Sequence, residues 1–518
     1  MTSLSTPLSL SFSCKNLANL DALSKSDPSI WLYSVPTGAT QATLIGKTET
    51  VKNDLNPTFA TPLLVDYRFE EVQTLQIFIV DIDAPNATSL RAQDTIGSVT
   101  VTLGSIVSSV GGKLTLDIIQ GTTKRGQVTV LAEEAGSLNA EFALQLSASS
   151  LEKKDFFGSS DPFFIIKKAR EDGSFVPVHK SDVLKKNLNP VWNAFTITAA
   201  VLCAGDLDRA LVIDVFDWDS NSAHDLIGSC QITARELVAG ATFKLVNPAK
   251  KSKKGYTDSG TFIVRSAAMT TTYSFIDYLR SGFRINTVMA VDFTGSNGDP
   301  KFSTSLHYAT PYQPNAYQSA IAAVGTVLLD YDTDKMIAAY GFGAKVAGKT
   351  NHCFPLTLNP AQVEVPGVPG VLAAYTNALL NVELHGPTNF APLLQQAQAI
   401  SAAQPGNYLV VVIYTDGVIT DVDQTIEEIV KCSGKPISII IVGVGNADFT
   451  QMNVLDADDG ALKDRKGNRA KRDCVQFVAM NAFANKPIQE LAAAVLKEVP
   501  GQFVSAMKTL GLKPNGVQ

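Results

Sequence analysis

Val80-Asp81-Ile82-Asp83, followed by Asp94-Thr95-Ile96-Gly97, returns downstream as Phe216-Asp217-Trp218-Asp219 followed by Asp225-Leu226-Ile227-Gly228. The offset is 136 residues at the paired aspartates and 131 at the third, so the connecting loop is longer in the first copy. Working outward, Leu17 to Pro28 with Asp21 and Asp27 recurs as Leu151 to Pro162 with Asp155 and Asp161, and Asn53-Asp54-Leu55-Asn56-Pro57 recurs as Lys186-Asn187-Leu188-Asn189-Pro190. Self-similarity at this period marks two tandem modules of roughly 130 residues, each long enough for a core of its own. Leu8, Leu10, Phe12 and Cys14 alternate with polar neighbours, as do Ala140, Phe142, Leu144 and Leu146, the period of half-buried strands. The apolar runs Leu75–Ile79 and Leu211–Val215 lead straight into aspartates, which places the carboxylates at strand ends.

The chain of 518 residues, 45% hydrophobic and 18% charged, predicts three or four domains and excludes disorder, collagen and coiled coil. Its longest apolar runs, Tyr408–Tyr414 and Ile437–Val442, are too short to cross a bilayer as helices. The first residues lack the basic and apolar blocks of a signal peptide, and the six cysteines are scattered without a CxxC pair, so a reducing, cytoplasmic setting is expected. A net charge of −6 argues against nucleic acid as a partner.

Near Tyr273 the pattern changes. Strand-like runs (Ile285–Phe293, Met336–Phe342, Tyr408–Tyr414, Ile437–Val442) alternate with helix-like ones (Tyr317–Leu329, Thr425–Cys432, Pro487–Lys497), which predicts an α/β domain with a mainly parallel sheet.

Asp21, Asp27, Asp81, Asp83 and Asp94 in the first module, and Asp155, Asp161, Asp217, Asp219 and Asp225 in the second, repel one another unless a counter-charge joins them. Ca²⁺ suits such a set because it takes six to eight oxygens in flexible geometry. The alternative for any one of them is a turn-capping aspartate. The repeated pattern resembles the C2 domain, a β-sandwich whose Ca²⁺ loops bind phospholipid headgroups. That resemblance implies several Ca²⁺ ions across the two modules and an anionic, phosphatidylserine-like membrane as partner. Phe156 and Phe157, on the loop between Asp155 and Asp161, are candidates for insertion into the bilayer or for packing beneath the loop. The first module has Ala22 and Leu23 there and is expected to insert more weakly. Lys250, Lys251, Lys253 and Lys254 read either as headgroup contacts or as a solvated linker.

In the last domain a strand-like run ends in Asp292-Phe293-Thr294-Gly295-Ser296, one carboxylate and two hydroxyls where an open α/β sheet binds ligands. The run resembles the metal-ion-dependent adhesion site (MIDAS) of von Willebrand factor A domains. By that resemblance Thr388, in His385–Phe390, and Asp416, in Tyr414–Gly417, complete a site for Mg²⁺ or Mn²⁺ that accepts a carboxylate from a client protein. Two C2 domains before an A domain are the order of the copine family, which the chain also resembles in Asp292–Pro300, Ser305–Tyr308, Tyr340–Ala344, Thr415–Val418 and Ile439–Gly445. The expected organisation is multidomain: two all-β C2 sandwiches at 1–132 and 133–268, a doubly wound, Rossmann-like α/β A domain at 269–505, and a tail at 506–518. The expected activity is calcium-dependent phospholipid binding, with movement from the cytoplasm to the plasma membrane or internal membranes and recruitment of client proteins. An enzyme is not expected. The sequence has no P-loop, no kinase motif set and no metal-spaced histidine pair, and Thr294–Gly298 lacks the first glycine of a nucleophile elbow.

Overall fold

A computed structural model of the chain describes residues 5–36, 41–83, 89–135, 139–153, 159–170, 173–219, 223–310, 312–456 and 462–514. The first module contains β1 (Thr6–Lys15), β2 (Pro28–Val35), β3 (Thr43–Lys47), β4 (Leu63–Tyr67), β5 (Thr74–Asp81), β6 (Asp94–Thr102), the short helix α1 (Leu103–Val107), β7 (Lys113–Gln120) and β8 (Thr123–Glu134). Leu8, Leu10, Phe12 and Cys14 of β1 are buried and their neighbours are not, as the alternation requires. The strands run in the order β3-β2-β5-β6 and β7-β8-β1-β4, and the two halves meet where Ser98 lies opposite Ile119.

The second module repeats this plan with β9 (Ala140–Ser149), β10 (Pro162–Ala169), β11 (Phe175–Lys180), β12 (Phe195–Thr198), α2 (Ala199–Cys203), β13 (Ala210–Asp217), β14 (Asp225–Thr233), α3 (Ala234–Val238), β15 (Thr242–Lys244) and β16 (Thr261–Thr271). Its sheets, β11-β10-β13-β14 and β12-β9-β16-β15, close over one core that takes Phe142, Leu144 and Leu146 from one face and Phe164, Ile213 and Val215 from the other. Trp192 lies in that core with its ring 4.8 Å from Phe164 and 6.1 Å from Phe262.

The last domain begins with α4 (Phe275–Arg280), β17 (Arg284–Asp292), α5 (Ala316–Leu328) and β18 (Met336–Phe342). Short strands β19 (Ala344–Val346), β20 (Lys349–Asn351), β21 (Phe354–Pro355) and β22 (Glu364–Pro366) lead to α6 (Gly367–Asn381) and β23 (Glu383–Leu384). Then come α7 (Ala391–Ala403), β24 (Asn407–Thr415), α8 (Val422–Cys432), β25 (Ile437–Gly443), α9 (Thr450–Asp456), β26 (Val475–Ala479), α10 (Ile488–Leu496) and α11 (Val499–Leu510). The strands β18-β17-β24-β25-β26 are parallel neighbours, with antiparallel β21 and β22 added on β18. Val288, Ala290, Val411 and Ile413 pack on α7 and α8 through Leu393, Leu394 and Ile429. The opposite face meets α11, where the Tyr408 and Phe503 rings are 4.5 Å apart, and α5, where a Cβ on Gly325 would lie 2.8 Å from the Met289 methyl. Helices therefore cover both faces, and the strands read as unbroken apolar runs for that reason.

The expected divisions shift. Those at 132 and 268 fall inside β8 and β16, which run on to Glu134 and Thr271. The expected tail from 506 is largely α11 and its cap: Ala506 and Met507 are buried and the Tyr278 hydroxyl donates to the Leu512 carbonyl at 2.9 Å. The apolar spacing of Phe503, Ala506 and Met507 carried that helix and was read as terminal sequence instead. Residues Met1–Ala135 and Phe275–Gln518 form one compact unit and Gly136–Ser274 a second. No helix among the described residues is long and apolar enough to cross a membrane, and the six cysteines are free thiols.

Trp192→Ala should cost about 3–5 kcal/mol. In urea titrations of the full chain it is expected to move the transition of the second module and leave that of the other unit in place.

Candidate metal centres

In the first module the ladder itself collects the carboxylates. Pro28 pairs with Asp81 and Asp81 with Asp94, so the start of β2, the end of β5 and the start of β6 lie side by side. Asp81 is 1% exposed; its Oδ1 accepts the Asp27 amide at 2.6 Å and its Oδ2 is buried without a partner. Asp27 in turn accepts the Asn53 amide at 2.8 Å, and Asp21 holds the Ser24 hydroxyl at 2.8 Å. Burial and the charges of Asp81, Asp21, Asp94 and Asp27 together hold the Asp83 carboxyl above its ordinary range. The other four expected carboxylates thus act on Asp83, and the buried, bare oxygen of Asp81 is the kind of donor a hard cation needs. The Leu23 side chain, between Asp21 and Asp27, stands fully in solvent at 102% exposure.

The second module repeats the core of this arrangement. Asp161 donates its amide to Asp217 Oδ1 at 2.6 Å, Asp217 Oδ2 is again buried and bare, and Asp225 pairs with Asp217 across the ladder. The Asp219 amide donates to His224 Nδ1 at 3.2 Å. The difference lies at Asp161, whose Oδ2 receives Lys185 Nζ at 2.8 Å and whose Oδ1 receives the Lys186 amide at 2.7 Å. Burial raises the Asp161 carboxyl, but these donors outweigh it and the net shift is downward. Lys185 Nζ also lies 3.5 Å from the Trp218 ring centre. A tethered ammonium therefore already sits on part of the cluster. Asp155, Phe156 and Phe157 lie outside the described residues.

Two expectations about the lysine run change. Lys250 is half-buried in an ion pair with Glu152, which also accepts the Ser259 hydroxyl at 2.9 Å. The run is not a linker either: it follows a short helical turn, Pro248–Lys250, inside the second module between β15 and β16, where Lys251, Lys253 and Lys254 are exposed. Among the described residues no group of three or more His, Cys, Asp or Glu side chains is arranged to hold a metal ion.

The third site stands at the carboxyl end of β17. Asp292 is fully buried; its Oδ1 accepts the Thr294 amide at 2.8 Å and hydroxyl at 2.6 Å, and its Oδ2 accepts the Thr415 hydroxyl at 2.6 Å. Ser296 Oγ lies 2.9 Å from Thr294 Oγ1 and donates to Asp416 Oδ1 at 3.0 Å. Burial, then the Asp416 charge, push the Asp292 carboxyl far above its ordinary range, and burial raises Asp416 as well. Two carboxylates and two hydroxyls in one chain of contacts form a donor set that fits a small divalent ion. Thr388 joins them along a cavity of about 600 Å³ whose walls include Leu306, His385, Pro387, Val418 and Asn446. Asp421 holds the Thr388 loop in place by accepting the amides of Phe390 at 3.0 Å and Ala391 at 2.8 Å. Gly343, at φ +81°, is needed here, since a Cβ would come within 2.3 Å of the Thr294 methyl.

Three contributors were missed. Thr415 sits beside Asp416 in the motif and its hydroxyl was passed over. His385 lines the cavity while its backbone binds Phe293 and Gly295. Lys185 carried no signal beyond standing four residues before Asn189-Pro190. His307 belongs to the packing beneath the site: it is buried, 2.6 Å from the Tyr375 hydroxyl through Nδ1, and burial lowers its pKa to about 3.

Comparison with known proteins gives a copine family model matching residues 305–515 and a C2 domain model matching 11–118 and 144–248. Copine-A of Dictyostelium discoideum is 42% identical over 98% of this chain and 85% of its own length. Copine-C of the same organism is 40% identical over 98% of this chain and 95% of its own. Among solved structures, BON1-C2B is 28% identical over 26% of this chain and 94% of its own, at a TM-score of 0.23.

Asp217→Asn keeps the acceptor for the Asp161 amide and removes a charge. It should raise the unfolding temperature of the second module in chelator and abolish any rise on adding Ca²⁺; a retained Ca²⁺-induced rise would place the ion elsewhere. In the fold Asp292 keeps its proton to higher pH than in the unfolded chain. The folded state then binds the extra proton, and stability of the metal-free protein falls as pH rises from the ordinary carboxylate range toward neutrality. Chemical denaturation in chelator at stepped pH checks this, with Mg²⁺ expected to restore stability at neutral pH and Asp292→Asn to flatten the decline.

Proposed function

The chain belongs to the copine family, with which it aligns over nearly its whole length, and on that premise we propose that it is a calcium-regulated membrane adaptor rather than an enzyme. The observation that carries the reading is the pair of buried, unpartnered oxygens, Asp81 Oδ2 and Asp217 Oδ2, each on an aspartate that accepts the amide of one aspartate and pairs across the ladder with another. Ca²⁺ would be held by Asp21, Asp27, Asp81, Asp83 and Asp94 in one module and by Asp161, Asp217, Asp219 and Asp225 in the other. There it would convert a surface that repels phosphate into one that binds it. Leu23 then enters the bilayer, a gain of about 1.5–3 kcal/mol if fully buried. The chain would leave the cytoplasm for the plasma membrane or internal membranes as Ca²⁺ rises.

Asp292, Thr294, Ser296, Thr388 and Asp416 would hold Mg²⁺ or Mn²⁺, whose chemistry is to attract a carboxylate from a client protein into the cavity. Binding rather than catalysis is supported by Ser296, whose hydroxyl is engaged by Asp416 and Thr294.

Co-sedimentation with phosphatidylserine vesicles over a free-Ca²⁺ series tests the first half. Saturable binding reversed by chelator is expected, with phosphatidylcholine vesicles left behind; no binding at any Ca²⁺ level would refute it. Asp217→Asn with Asp219→Asn should remove most of this binding. Asp292→Ala should leave it intact and abolish Mg²⁺-dependent stabilisation of the chain, and equal loss of lipid binding would overturn the division of labour.

A further inference from the structure

The first module and the A domain touch, although 139 residues of the second module separate them in sequence. The Tyr67 and Tyr331 hydroxyls are 2.7 Å apart. The Phe69 ring lies 4.5 Å from Tyr331 and 5.1 Å, edge-on, from Phe275, and all four side chains are buried. Ser108 donates to the Asp330 carbonyl at 2.9 Å, and Arg280 pairs with Glu133 at 3.1 Å. On α1, a Cβ added to Gly104 would meet Asp330 Cβ at 3.0 Å and the Tyr331 hydroxyl at 3.2 Å, so the surfaces close at that point. Buried aromatics, satisfied hydroxyls and a close-approach glycine belong to a fitted interface.

Strand direction fixes where each surface lies. In the first module β5 runs toward Asp81 and β6 away from Asp94, so the carboxylates share one pole. Tyr67 ends β4 opposite Thr6, α1 follows the far end of β6, and Glu133 lies near the end of β8, all at the other pole. In the A domain Asp292 ends β17 and Asp416 follows β24, whereas Arg280 precedes β17 and Asp330 and Tyr331 precede β18. The contact therefore joins the pole opposite the aspartate loops to the pole opposite the Asp292 site. Strands of eight and nine residues, taken end to end, put the two ends on the order of 60 Å apart.

We propose that this docking makes the first C2 module a rigid pedestal: it lands on the bilayer through its aspartate loops and holds the A-domain cavity away from the membrane, open to protein clients. The inference rests on the proposed membrane role for its orientation, and on geometry alone for the docking. A length of this order is several times the Debye length at physiological salt, so the lipid surface charge is not felt at the Asp292 site.

The test is made on the full chain with Cys230 and Cys353, the half-buried thiols, changed to serine. Spin labels at Thr122→Cys, in the exposed turn at the aspartate pole, and Tyr312→Cys, on the far loop and 98% exposed, are expected to give one narrow distance distribution in solution near the estimated length. A broad or short distribution would overturn the docking. Gly104→Leu, wedged against Asp330, is expected to broaden the distribution; an unchanged one would overturn the interface as drawn. With Ca²⁺ and phosphatidylserine vesicles carrying an acceptor lipid, a donor at position 122 should be strongly quenched and one at 312 weakly. Equal quenching would overturn the orientation. Vesicles that fail to bind would count against the membrane role itself and leave the solution distance to decide the docking.

Discussion

Mutual repulsion among carboxylates gathered at strand ends is the constraint on which this chain depends. In both repeated modules an aspartate at the end of one strand is buried and accepts the amide of an aspartate that immediately precedes the neighbouring strand, which draws a second carboxylate onto the first. The bond satisfies one oxygen and leaves the other bare. Such a centre is costly in the metal-free fold, and that cost is what makes a cation an effective ligand: binding relieves strain already present. The sandwich supplies the stiffness that holds the charges together, since the backbone ladder on either side cannot yield without breaking paired strands.

The two modules answer the same repulsion differently. The first leaves its cluster to raise the Asp83 carboxyl. The second lays Lys185 across Asp161 and Trp218, a partial counter-ion that a metal has to displace or share with. The last domain answers in a third way. It buries Asp292 completely and surrounds it with hydroxyl donors, so the ion would meet few formal charges and remain hungry for an anionic ligand. Hard oxygen chemistry thus appears at three places, graded by how much negative charge each presents.

Much of this was legible in the sequence because it is written in short spacings. The aspartates lie two or six apart on loops bounded by alternating strands, and Asp292, Thr294 and Ser296 follow one another at the mouth of an apolar run. Thr388 and Asp416 came only by resemblance to a known motif, and the structure bonds Asp416 to Ser296 and sets Thr388 beside them on one cavity. What failed was what depends on neighbours in space. Lys250 looked like part of an exposed basic run and is tied to Glu152, 98 residues away. The residues after 505 looked like a tail because a terminal amphipathic segment shows nothing of the face that receives it.

The sequence by itself determined the repeat, the alternation that builds both sandwiches, the parallel sheet that follows, and the clustering of aspartates at strand ends. These are local properties, set by period and by the chemistry of adjacent side chains. Only the tertiary structure decided which carboxylate oxygen is left bare, which lysine stands beside the carboxylates, and that the first module docks on the last domain through Tyr67 and Tyr331, 264 residues apart. No spacing rule reaches across that distance. Such contacts are chosen by the mutual fit of surfaces that exist only after each sheet has closed.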